Sequence, residues 1–463
     1  MPCGSLDKRR QGHRCVQCRE NHRKCDGSRP CRYCKDQKLK CDEPVSTKGT
    51  VTVVQYRPNP PIQPISRILG VNDWLFVRIF FNAVISDSLF LSAYTYDEIG
   101  QLIHEKGSVY EAVVAVGTTY ASQMYTDLRL SSDQKKDLDK LCSKLRFSIT
   151  SEIHEPHAIQ DPYFLLRAHL LGFIEIMTDD TAERWGRLVH NIQHYLLPQN
   201  ELAPSEKSFH VPLLSTTRLS IAICDVMYDN LPCTLCLTHL PCNISVASGP
   251  QKEVLTSRGE KIEFLARVLE RWAVLKFRSF DWIKNMESDQ SSTLDQNSYF
   301  CLDQDTKQIS LAGLEIICQA CELQQEVIAT MLNQFAQGSE CAIHDRDFIQ
   351  PFYHWVLTGL SHLFLRPEWH SYDWNLPVME AALTNQQALL ALNGVERMLQ
   401  KAQIDTALYA SFLPVVGVQL STVEDRNRII KLLHDIKERG FAVASAFEAD
   451  IIRGWNNPHS LFF

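Results

Sequence analysis

Six cysteines between residues 15 and 41 stand at spacings suited to metal chemistry. Cys15-x2-Cys18-x6-Cys25 is repeated as Cys31-x2-Cys34-x6-Cys41. In each half the third cysteine follows a lysine, Lys24 or Lys40, and the second is followed by a cation, Arg19 or Lys35. Zinc takes four ligands tetrahedrally with Zn–S near roughly 2.3 Å. A Cys-x2-Cys pair at a helix start places two sulfurs on one ion, and a third cysteine six residues on returns from the helix end. Three ligands per half leave each ion one short. If each half shares one thiolate between both ions, six sulfurs hold two zincs with four ligands apiece. A peptide of about 30 residues has too little core to fold alone. Metal binding must then supply the folding free energy, on the order of 10–16 kcal/mol for one structural zinc site. A four-cysteine mononuclear finger or a ring-type site is the rival reading, and it would strand two of the six cysteines.

The pattern resembles the fungal zinc binuclear cluster family of transcription regulators. The six cysteines carry the resemblance, with the basic residues between the second and third cysteines, Asp26 after the third, and Pro30 in the connecting loop. It implies two zinc ions per chain, held by Cys15, Cys18, Cys25, Cys31, Cys34 and Cys41, with Cys15 and Cys31 as the bridging ligands. It also implies a first helix that ends in the DNA major groove. There a lysine or arginine four residues after the second cysteine contacts a CGG triplet, helped by main-chain carbonyls. This sequence departs from the pattern at that position, which is His22. Histidine donates to guanine N7 or O6 with shorter reach and no permanent charge, whereas arginine grips guanine with two hydrogen bonds. His22 and its neighbour Arg23 are therefore the candidate base contacts. Arg19, Lys24, Arg32, Lys35, Lys38 and Lys40 are candidate phosphate clamps, which fix register without reading sequence.

Charge along the chain agrees with a polyanion partner for one end only. Residues 1–50 hold 13 Lys and Arg against 6 Asp and Glu, whereas the remainder holds 34 against 48. Zinc loading with six thiolates would lower the head's charge by about two and leave it basic. The N-terminus has no apolar h-region, and the most apolar stretch, 74–94, is interrupted by Arg78 and Asp87, so it reads as core helix. The 16 cysteines are accordingly expected in a reducing compartment, where regular spacing points to metal.

The elements that must position this chemistry follow the composition. Residues 1–14 form a basic arm with Lys8, Arg9, Arg10 and Arg14, and residues 15–43 form the cluster module. Residues 44–66, with Pro44, Pro58, Pro60, Pro61 and Pro64, read as a linker. Residues 67–463 read as a large all-helical regulatory domain, so the expected fold class is mainly α. Ile262, Leu265, Ala266, Leu269, Trp272 and Ala273 share one helical face, and so do Leu138, Leu141, Leu145 and Ile149. Ser421 and Glu424 have capping-box spacing ahead of Ile429, Ile430, Leu433 and Ile436. The stretches 198–212, 240–258 and 287–310 read as long loops. The apolar turn Phe412-Leu-Pro-Val-Val-Gly-Val-Gln, the charged helix from Glu424 and the later Trp455 resemble the C-terminus of the same family's helical region.

Other cysteines read as packing. Cys233, Cys236, His239 and Cys242 are too closely spaced and too apolar in surroundings for one tetrahedral site, and Cys318 and Cys321 are expected to be core thiols. No Gly-rich phosphate loop, nucleophile elbow or zinc-protease motif is found, so the chain is not expected to be an enzyme. The leading reading is a nuclear, sequence-specific DNA-binding regulator of RNA polymerase II transcription. Its expected partners are double-stranded promoter DNA, a second chain in a homodimer or heterodimer, and coactivators or the transcription machinery, with no membrane. The alternatives are a zinc-cluster chromatin or nucleic-acid adaptor without sequence readout, a ligand-sensing helical body, or an enzyme with a DNA-targeting head.

Overall fold

The computed structural model describes residues 15–21, 23, 25–42, 73–85, 100–101, 103–104, 107–125, 130–155, 158, 161–196, 210–227, 258–292, 302–336, 342–401, 408 and 410–456. The chain divides into two compact units, Met1–Pro64 and Ile65–Phe463. No strand occurs among the described residues, as the mainly α reading requires. The basic arm and the linker lie outside them.

The first unit contains two five-residue helices, α1 (Val16–Glu20) and α2 (Arg32–Asp36). The second begins with α3 (Asp73–Ile79), continued by a π-helical turn over Phe80–Ile85. Then come α4 (Gly107–Met124), α5 (Ser132–Glu152), α6 (Pro162–Thr178), α7 (Glu183–Leu196) and α8 (His210–Met227). Two 35-residue helices follow, α9 (Arg258–Ser292) and α10 (Leu302–Ala336), then α11 (Ala342–Leu363) and α12 (Ala381–Lys401). The described chain closes with α13 (Leu413–Gln419), α14 (Val423–Glu438) and α15 (Ala444–Asn456).

Local chemistry sets several of these boundaries. Ser131 and Gln134 make a reciprocal capping box at the start of α5: Gln134 N donates to Ser131 Oγ at 3.2 Å, and Ser131 N donates to Gln134 Oε1 at 2.9 Å. Asp161 caps α6, accepting from Tyr163 N at 3.0 Å, with Pro162 at the first helical position. At α14 the cap is Thr422 and not Ser421, one residue later than the capping-box spacing suggests. Two capping residues stand side by side there, and Thr422 finds its partner in Asp425, whose N donates to Thr422 Oγ1 at 3.1 Å.

The body has one continuous apolar core. All six residues of the 262–273 face are buried, as are Leu141, Leu145 and Ile149, with Leu138 partly covered. At its centre the Trp355 indole on α11 stacks on Phe412 at 4.3 Å and meets Trp272 of α9 edge-on at 4.9 Å. Such ring pairs contribute about 0.5–1.5 kcal/mol beyond the area they bury. Charges near the core are paired. Glu175, almost fully buried, receives both Arg146 and Arg184, and Arg218 of α8 bridges Glu263 and Glu270 of α9. Leaving Glu175 without its arginines would cost about 3–5 kcal/mol, because its charge is buried.

Two sequence expectations are corrected here. The 287–310 stretch is not one long loop, because α9 runs on to Ser292 and α10 starts at Leu302; likewise α8 begins at His210, inside 198–212. Ser, Asp and Thr cost a helix only about 0.7 kcal/mol or less each relative to Ala, so the polar ends of a packed helix still continue it. Cys318 is exposed and is not a core thiol, whereas Cys321 is half-buried and packs against the core. The i, i+3 spacing shows that they share a side of α10 but not which side. Ile316, Ala320, Leu323 and Val327 form the buried side, and Cys318 points away from it.

Candidate metal centre and nucleic-acid interface

The repeat in the sequence becomes a repeat in backbone. Each Cys-x2-Cys pair stands at the start of a short helix, and the chain then turns back so that the third cysteine joins the pair. Asn21 N donates to Gln17 O at 3.0 Å and Arg23 N to Cys18 O at 2.9 Å. Sixteen residues later, Gln37 N donates to Tyr33 O at 3.0 Å and Leu39 N to Cys34 O at 2.8 Å. The module is closed by Val16 N donating to Asp42 O at 3.2 Å.

Asp26 ties the halves together. One carboxylate oxygen accepts from Ser28 N at 3.1 Å and Ser28 Oγ at 2.8 Å, and the other accepts from Arg32 N, at the start of α2, at 3.0 Å. The Ser28 hydroxyl, with the Arg32 and Ser28 N–H groups, holds this carboxyl below the usual range. The sequence marks Asp26 as part of a pattern. The pattern does not say that its role is to orient the second helix.

The six sulfurs converge in two sets of four. Cys15, Cys18, Cys25 and Cys31 form one, and Cys15, Cys31, Cys34 and Cys41 the other, with all sulfurs of a set within 4.8 Å of one another. Cys15 and Cys31 belong to both sets. Their sulfurs are 3.8 Å apart, Cys15 to Cys34 is 3.6 Å and Cys18 to Cys31 is 3.5 Å. A tetrahedron with Zn–S of 2.3 Å has an edge of about 3.8 Å, so these are spacings of thiolates sharing an ion; disulfides need about 2.05 Å. Protons alone satisfy this arrangement poorly. The Cys18 main-chain N–H, 3.4 Å from Cys15 Sγ, holds the Cys15 thiol down to about 6. Burial, with the Cys31 and Cys15 sulfurs alongside, pushes Cys18 up to about 12. Two divalent cations would resolve the conflict by taking every sulfur as thiolate.

Residues 13–50 match the family model of the fungal Zn(2)-Cys(6) binuclear cluster domain. This chain carries a fungal binuclear zinc cluster domain. Such a domain binds two zinc ions through six cysteines, and here Cys15 and Cys31 occupy the two shared places. The domain belongs to a family of zinc-cluster DNA-binding transcription factors. No curated protein and no solved structure matches the chain with significance.

Around the cluster the cations face outward. Arg23, Arg32, Lys35, Lys38 and Lys40 are all exposed, and Lys40 Nζ lies 3.3 Å from Asp42. Arg19 lies on α1, but its side chain is outside the described residues, as are His22 and Lys24 altogether. So are Cys233, Cys236, His239 and Cys242. Among the described residues no helix is long and apolar enough to cross a membrane.

Proposed function

We propose that the protein is a nuclear, sequence-specific regulator of RNA polymerase II transcription, whose zinc cluster reads CGG-like triplets in the major groove of promoter DNA. The observation that carries this reading is the pair of four-sulfur sets sharing Cys15 and Cys31, ringed by exposed cations. Six cysteines serve as zinc ligands. The metal supplies rigidity, and the protein supplies the contacts. Arg19, Lys24, Arg32, Lys35 and Lys40 hold phosphates, and His22 and Arg23 contact base edges. The helical body serves as the regulatory part, joining a second chain as homodimer or heterodimer and contacting coactivators. No catalytic role is assigned to it.

Selection of sites from random duplex DNA by the zinc-loaded chain tests the proposal. Enrichment of CGG-like triplets is the expected result. Tight binding without enrichment would replace it with a chromatin or nucleic-acid adaptor.

A further inference from the structure

The turn that ends α2 places a lysine where the backbone asks for glycine. Lys38 N donates to Lys35 O at 3.3 Å while Leu39 N reaches Cys34 O at 2.8 Å. This pair of bonds is the Schellman arrangement, and its left-handed residue, usually glycine, is here Lys38, with φ of 54°. A side chain in that conformation is strained by roughly 1–2 kcal/mol. The module's one glycine does not relieve it: Gly27, at φ 78°, lies in the loop between the halves. The strain therefore holds an exposed ammonium at the tip of the turn.

The repeat shows what that tip corresponds to. Shifted by sixteen residues, Cys34 falls on Cys18, Leu39 on Arg23 and Lys38 on His22. The cap bonds from Arg23 to Cys18 and from Leu39 to Cys34 show that both halves turn in the same way. In the first half the residue aligned with Lys38 is His22, by sequence register alone. Lys38 puts a permanent, flexible cation at the tip of its own turn, flanked by exposed Lys35 and Lys40, and its ammonium can donate to guanine O6 and N7.

We propose that Lys38 is a base-reading residue: the α2 end contacts guanine, and Lys38 sets specificity where the sequence alone makes it a phosphate clamp. This rests on the proposed DNA-binding function and names a second reading end within it.

The test uses the full zinc-loaded chain and the duplex it selects, with single-base-pair mismatches of that duplex. Lys38→Gly suits a left-handed position, so both zinc ions should be retained and the fold unharmed. The expected result is a loss of about tenfold to hundredfold on the selected duplex, with less than twofold change on the duplex mismatched at the guanine Lys38 reads. Lys38→Arg should retain most of the preference. An equal loss on every duplex would make Lys38 a phosphate clamp and overturn the inference, and so would no change. A wild-type chain that binds all duplexes alike would overturn the proposed function and this contact with it. Uniform loss in the variant, against a selective wild type, overturns the contact alone.

Discussion

Between Cys15 and Asp42 the buried apolar side chains are Cys15, Cys18, Cys31 and Cys34, with Tyr33 half-covered, whereas the body buries Trp355, Trp369, Phe352, Phe364 and Phe412 in one core. The head is held by ligand geometry and the body by excluded water. The difference teaches where each is vulnerable. A metal-held module fails at a few covalent positions, and a packed core fails by degrees.

Four experiments would break or sharpen that contrast. The largest effect belongs to Cys15→Ala or Cys31→Ala. Each removes a sulfur common to both four-sulfur sets, so both zinc ions should leave, each site forfeiting on the order of 10 kcal/mol. Native mass spectrometry should read zero zinc, while the helical circular dichroism of the body persists; Cys18→Ala should cost one ion first. Retention of one ion in Cys15→Ala would contradict the sharing.

Trp355→Ala attacks the other region. Removing an indole packed between Phe412, Trp272 and Phe352 should destabilise the body by about 3–5 kcal/mol in denaturant titrations. The zinc count should stay at two. A change below about 1 kcal/mol would mean that the stack does not carry the core.

Acid separates the regions by another route. Burial lowers the His362 ring to about 4, against the opposing Gln419 side chain, and lowers His169 to about 4, with its Nε2 shielded from solvent and without a hydrogen-bond partner. Their folded values lie below the unfolded value near 6.5, so the unfolded chain takes up protons that the folded chain refuses. Their contribution is complete above pH 6.5 and is lost as pH falls toward 4, on the order of 3 kcal/mol for each ring. His362→Leu and His169→Phe should flatten the pH dependence of body stability across that window. An unchanged slope would refute the assignment.

Lys35→Ala has the smallest expected effect. It should weaken all duplexes alike and make the salt dependence shallower by about one phosphate contact. A loss confined to one triplet would move Lys35 among the base readers.

How much of this was legible beforehand differs between the two regions for a physical reason. The metal centre is written in local spacing, so Cys15-x2-Cys18-x6-Cys25 and its repeat mark, before any fold is known, the six cysteines whose sulfurs converge. The helical character of the body is equally plain, because periodicity is local too. What sequence could not supply is what depends on distant partners. Trp272, Trp355 and Phe412 come from three elements and meet only in the folded core. The i, i+3 spacing of Cys318 and Cys321 was compatible with either side of α10, and packing chose the exposed one for Cys318. In the head, the left-handed turn at Lys38 was hidden for another reason. Glycine is the usual signal for such a turn, and it is missing there.

Three glycines in the body carry a consequence for how this protein can drift over generations. A methyl group added at Gly117 would fall 2.1 Å from the Phe76 carbonyl oxygen, at Gly359 1.9 Å from the Trp272 ring and at Gly394 2.5 Å from Pro351. Gly117 lets one backbone lie against another, and Gly359 and Gly394 leave room for the Trp272 and Pro351 rings. Mutation can rewrite the outward faces freely while these three contacts stay shut. Divergent descendants of this body should thus be recognisable less by overall identity than by glycine kept at these three points, with a tryptophan opposite 359 and a proline opposite 394. Alanine scanning at 117, 359 and 394, beside exposed controls such as Gly107, would show that asymmetry directly as soluble yield.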